Sequence, residues 1–248
     1  MNNNTVTFFT NCYERDWETI IVNGGFERKI ENLNYNFFKK KLIITNVENR
    51  KLVEDELIKI KEKKIIDEYY FTDDSSKEVL NYFNINENTF NGGYWYSISP
   101  LTSIYKCDTD YLLYLTADSL VEKKDWNWID NGIEMMKLNK KIKAVNPIWN
   151  LNHSEAQSQE KFYIDNGFST EGNNLDWYYT LSFSDQCFLI KTEEFKKQIY
   201  NEKDELSELF YPGYAGDSFE KRVSSYLKNN RFYLLTNKHV TYFHPRWY

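Results

Sequence analysis

Four short apolar runs, each closing on Asn or Asp and each separated from the next by an amphipathic stretch, set the strongest limit on what this chain can fold into. They are "TVTFFTN" (5–11), "KLIITNV" (41–47), "DEYYFTDD" (67–74) and "YLLYLTADSL" (111–120). Phe26, Ile30 and Leu33 recur at helical spacing between the first two, and Val53, Leu57 and Ile60 between the second and third. Before the fourth, Ser99-Pro100 reads as an N-cap followed by Pro at the first helical position, with Ile98, Leu101 and Tyr105 facing inward. Strands alternating with helices predict an α/β fold, a mostly parallel, doubly wound central sheet flanked by helices in a single domain. Ligands of such sheets sit beyond the carboxyl ends of the strands. Asn11, Asn46, Asp73, Asp74 and Asp118 would gather there.

The second half continues the pattern less regularly. Trp126, Ile129, Ile133 and Met136 mark a helix, and "KAVNPIW" a strand. From about 150 to 180 the periodicity is lost, and the embedded Phe162, Tyr163, Phe168, Trp177 and Tyr178 predict an ordered binding region without regular elements. "SDQCFLIKTEEF" reads as a strand entering a short helix. "GDSFEKRVSSYLKNN" opens a helix with Phe219, Val223, Tyr226 and Leu227 inward, and the last eighteen residues supply one or two strands.

Bulk properties narrow the function classes. A 248-residue chain that is 41% hydrophobic and 18% aromatic can fill one substantial core. A net charge of −6 provides no basic field for a nucleic-acid backbone. Cys12, Cys107 and Cys187 are widely spaced, without metal or disulfide patterning. No window approaches about 18 uninterrupted apolar residues, and the N-terminus lacks a basic segment leading into an apolar core. A cytoplasmic chain with no transmembrane segment is therefore expected.

In this order of features the chain resembles nucleotide-sugar-dependent glycosyltransferases of the GT-A fold, most like the large family 2 group. "YLLYLTADS" is similar to that family's strand ending in an acidic D-x-D motif, with Thr116 at the first acidic position and Asp118 at the second. "AGDSFEKRV" resembles the family's "GED" before an amphipathic helix, with Gly216 in the first acid's place and Asp217 in the second's. The resemblance implies that Asp118 binds Mn2+ or Mg2+, aided by His244, and that Arg246 neutralises diphosphate. It implies that Asp217 is the general base, with Glu220 in reserve. Asn11, Tyr13, Asp73 and Asp74 would hold the nucleoside, and Asp185 would face a sugar. The donor half would span about 1–120 and the acceptor half about 121–248 of one domain. A UDP-sugar is favoured over a GDP-sugar, with a saccharide or glycoconjugate acceptor and inversion at the anomeric carbon.

Each residue also has a local role open to it. Asp118 can cap the turn before Leu120, Asp217 can cap the helix it precedes, and His244 can pack among Tyr242, Phe243 and Trp247. Asn11, Asp73 and Asp74 can simply terminate strands. Two other functions compete with transfer. A sugar nucleotidyltransferase calls for a Gly-rich basic loop near the N-terminus, which "FFTNCYERDW" is not. A catalytically silent nucleotide-sugar-binding domain is motivated by Thr116 and Gly216, where acids are expected.

Overall fold

The computed structural model describes residues 4–167, 174–180, 182–210 and 215–244. Phe168, Arg246 and Trp247, named above, lie outside them. Among the described residues nine strands form one sheet: β1 (Val6–Cys12), β2 (Lys39–Ile44), β3 (Glu68–Phe71), β4 (Tyr111–Leu115), β5 (Leu120–Val121), β6 (Ile142–Trp149), β7 (Trp177–Thr180), β8 (Cys187–Lys191) and β9 (Tyr233–Phe243). Their order is β3-β2-β1-β4-β8-β6-β9-β5, with β7 also on β9. β3, β2, β1 and β4 are mutually parallel, and β6 and β9 run the same way because β8 lies antiparallel to both β4 and β6. Six of the nine strands thus share one direction, and their carboxyl ends define one edge of the molecule.

β1 shows why these runs become buried central strands. Phe8 and Phe9, both fully buried, point to opposite faces: Phe8 packs on Phe26, and Phe9 joins Ile43, Ile98 and Leu101. α1 (Gly25–Leu33), α2 (Arg50–Glu62), α5 (Trp128–Leu138) and α6 (His153–Asp165) cover the first face. α3 (Thr72–Tyr82), α4 (Tyr94–Lys106), α7 (Thr192–Phe195) and α9 (Phe219–Asn229) cover the second. A short α8 (Glu205–Phe210) precedes α9.

Three sequence expectations are corrected. α4 begins at Tyr94, so Pro100 sits inside the helix and not at its first position. The carbonyl of Tyr96, which loses its amide partner to the proline, belongs to a residue that is 61% exposed, where water can satisfy it. β3 stops at Phe71, and Asp73 and Asp74 lie in the first turn of α3. The stretch from 150 to 180, expected to lack regular elements, holds α6 and β7 among its described residues. α6 is capped by Asn152, whose side chain accepts from the Glu155 amide at 3.3 Å while its own amide donates to the Glu155 carboxylate at 2.6 Å.

Candidate active site

Two pairings of the sheet bring distant residues to its carboxyl edge. The two-residue strand β5 pairs with β9, Leu120 opposite Phe243, so Asp118 just before β5 meets His244 just after β9. The β4–β8 ladder places Leu115 opposite Cys187, so the approach to β8, Ser184 to Gln186, lies beside the end of β4. Asp118 and Tyr13 follow β4 and β1, the strands that flank the reversal in strand order, where doubly wound sheets bind ligands.

His244 Nε2 lies 3.0 Å from Asp118 Oδ2. Burial alone would raise the Asp118 carboxyl, but the His244 imidazole and the Thr116 hydroxyl hold it below the ordinary carboxylate range. Two donors about 3 Å apart also match adjacent vertices of an octahedron with metal–ligand distances of about 2.1 Å. One carboxylate and one imidazole suit Mn2+ or Mg2+ bound jointly with phosphate oxygens. Among the described residues no cluster of three or more His, Cys, Asp or Glu could hold a metal alone. Thr116 is tied into its own turn, its hydroxyl 2.8 Å from that of Ser119.

The loop that presents Asp118 is clamped from three sides. Asn11 Oδ1 accepts from the Ala117 amide at 3.0 Å, and the Thr116 amide donates to the Gln186 carbonyl at 2.9 Å. Beneath it lies Lys29, only 2% exposed, whose ammonium donates to the Thr116 carbonyl at 2.9 Å and to the Ser119 carbonyl. Burial pulls Lys29 down to about 8, against the opposing pull of the Asp118 charge. A lysine whose folded pKa is depressed contributes stability only once pH rises through that value, in full above the unfolded value near 10.5. Stability is therefore expected to gain about 3 kcal/mol from this group between pH 8 and 10.5, and Lys29→Met to flatten that rise in denaturant titrations across the window.

A pair of acids adjoins the Asp118–His244 pair. The Asp185 amide donates to Glu220 Oε1 at 2.8 Å, and the two half-buried carboxyls are hydrogen-bonded to each other. Burial raises both, and the Glu220 charge pushes Asp185 higher still. Glu220 is restrained by the Asp185 amide and carboxyl, the Ser184 hydroxyl and the charge of His244. The pair therefore titrates as a unit, with its ionisation displaced above the ordinary carboxylate range. Asp118 in turn raises Asp185, so the two pairs form one electrostatic centre.

The structure separates Glu220 from Asp217. Asp217 faces a different cavity and is bound by Lys203 at 2.9 Å and Lys221 at 3.3 Å. Burial raises its carboxyl, but the two lysines win and hold it below the ordinary range. Nor does it cap α9: Ser218 does, accepting from the Lys221 amide at 3.4 Å. Gly216 has φ +58°, and a Cβ there would lie 2.4 Å from the Thr89 carbonyl oxygen, so an acid has no room where the motif expects one. Gly216→Asp is expected to destabilise the fold by about 2–4 kcal/mol, measured as a lower denaturant midpoint.

The other sequence candidates fall as follows. Tyr13 is half-buried, desolvation raises its phenol, and its hydroxyl donates to the Trp95 carbonyl at 2.5 Å. Asp74 is held by Arg50 through two bonds of 2.6 Å, which lowers its carboxyl, and Asp73 beside it is exposed. Lys29 was not singled out from the sequence. Its signal was its place on the inward face of α1, three residues after Phe26 and four before Leu33. Gln186 likewise had none beyond adjacency to Asp185.

No protein-family model and no curated relative matches the sequence. Solved structures do match in shape. GalNAc-T7 with UDP, GalNAc and Mn2+ superposes with a TM-score of 0.56 at 14% identity over 98% of this chain, which spans 44% of the GalNAc-T7 chain. A mycobacterial protein gives 0.51 at 9% identity, covering 99% of this chain and 69% of that one. The mannosyltransferase PcManGT from Pyrobaculum calidifontis, in complex with GDP-Man and Mn2+, gives 0.50 at 10% identity, covering 97% and 56%. With its mostly parallel sheet flanked by helices, this chain has the Rossmann-like GT-A fold seen in glycosyltransferases.

Proposed function

We propose that the protein transfers a sugar, with inversion, from a nucleotide diphosphate donor to an acceptor hydroxyl. One observation carries the reading: Asp118 with His244, and Asp185 with Glu220, converge at the carboxyl edge of a GT-A sheet. The first pair suits a leaving diphosphate and the second suits a proton acceptor. Glu220 removes the acceptor's proton, and Asp185, holding its own proton, donates to the Glu220 carboxylate and keeps it oriented. Its raised proton affinity strengthens it as a base near neutral pH, whereas the lysines on Asp217 weaken that residue. Lys29, Asn11 and Gln186 fix the loop so that Asp118 needs no reorganisation when the donor arrives. A divalent cation held by Asp118 and His244 would stabilise negative charge on the departing diphosphate.

The fold does not choose the base of the donor, since GalNAc-T7 was solved with UDP and PcManGT with GDP-Man. The test is proton NMR of the protein with UDP- and GDP-sugars, with and without Mn2+. Consumption of one donor and appearance of an anomer of opposite configuration is expected. Retained configuration would remove the inverting mechanism. Donor binding without turnover would favour the silent binding domain that Thr116 and Gly216 bring to mind.

A further inference from the structure

Next to Glu220 lies a cavity of about 280 Å3, bounded by the end of β6, by α6, β7 and β9, and by the approach to β8. Its floor is polar although it lies within the sheet: the Thr236 hydroxyl donates to Asn146 Oδ1 at 2.9 Å and meets the Thr180 hydroxyl at 2.9 Å. Gln159 lines one wall, Ser184 and Gln186 line it from the approach to β8, and Trp149 and Tyr242 supply rings. Glu155 and Glu220 are the only charged side chains among its described lining residues, which include no Lys, Arg or His. Another cavity, around Asp217, is the opposite case, with Lys203, Lys221 and Arg222 in its walls.

This composition discriminates by charge. A phosphate or carboxylate entering beside Glu220 would shed water, find no cation and face a like charge. A neutral hydroxyl would find amide and hydroxyl partners able both to donate and to accept, and the rings would cover the apolar face of a sugar. The volume is at the lower end for small-molecule sites, about 300 Å3 and upward, which fits one ring.

We infer that this cavity is the acceptor subsite and that the acceptor is a neutral saccharide presenting one ring to it, not a sugar phosphate or a uronic acid. The inference rests on the transfer reading above. It is tested by saturation-transfer NMR on the whole protein with glucose, galactose, mannose, N-acetylglucosamine and lactose, against glucose 6-phosphate, mannose 6-phosphate and glucuronate. Neutral sugars are expected to bind in the millimolar range, and the anions roughly tenfold more weakly.

Two variants locate the binding. Ala156→Leu fills the cavity from α6 and is expected to abolish sugar binding. Gln159→Ala is expected to weaken it roughly fivefold, as for one lost hydrogen bond. Binding of UDP or GDP should be unchanged in both, which also reports that they fold. Anions binding as tightly as neutral sugars, no neutral sugar binding, or no effect of Gln159→Ala would each overturn the inference. So would variants that weaken the nucleotide sugar but not free saccharide, since the cavity would then hold the donor's sugar. Neutral sugars bound at the cavity without turnover of any donor would count against the transfer reading and leave the cavity's ligand class standing. Turnover that prefers a phosphorylated acceptor would do the reverse.

Discussion

Glu220→Gln is expected to lower sugar transfer by about 10²–10⁴-fold while leaving nucleotide binding intact, the range for loss of a general base. The substitution keeps size and hydrogen-bonding shape but removes the group that can take a proton. Asp217→Asn, outside this centre and already quenched by Lys203 and Lys221, is expected to cost much less. Asp185→Asn retains a donor toward Glu220 and should preserve more activity than either Glu220→Gln or Asp185→Ala. The rate should rise with pH through the pair's first ionisation, above the ordinary glutamate value of about 4.3, because burial raises both carboxyls. Stability moves the other way. Groups whose folded pKa exceeds the unfolded value stabilise below the unfolded value and lose that contribution as pH rises through the folded one. Asp185→Asn should therefore raise the melting temperature at neutral pH more than at pH 4.

Asp118→Asn is expected to reduce kcat/KM by about 10²–10³-fold and to abolish stimulation by Mn2+. Asn keeps one oxygen but loses the charge that a divalent cation and a diphosphate jointly require. His244→Ala removes the imidazole and leaves the carboxylate, and a loss of at least about 10–100-fold in metal affinity is expected, the range seen even when only a residue supporting a metal ligand is removed. Titration of activity against Mn2+ at fixed donor separates the two. Asp118→Asn should show no saturable response, and His244→Ala a response shifted to higher concentration.

The apolar runs announced β1, β2 and β4 because strands buried on both faces carry continuous hydrophobic sequence. α6 was lost to the eye because it buries only Ala156 and Tyr163 and has little apolar periodicity. Its cap, Asn152 with Glu155 three residues on, was written in the sequence and is the better signal for such a helix. The contact between Asp118 and His244 depends on β5, two residues long, too short to have a pattern. Asp217 and Glu220 looked alike as acids opening a helix, and only their tertiary partners tell them apart: one meets lysines at a separate cavity, the other meets a second carboxyl at the carboxyl edge of the sheet. Gly216 shows the same limit, since its closeness to the Thr89 carbonyl is a tertiary fact that a motif cannot carry.

The central claim is that the Asp118–His244 and Asp185–Glu220 pairs form one sugar-transfer centre. The most direct measurement is release of nucleoside diphosphate from UDP- and GDP-sugars in the presence of Mn2+, comparing the wild-type protein with Asp118→Asn and Glu220→Gln. Release by the wild type from at least one donor, lost in Asp118→Asn and sharply reduced in Glu220→Gln, is the predicted result. Release that survives both substitutions, or no release from any donor that binds, would contradict it.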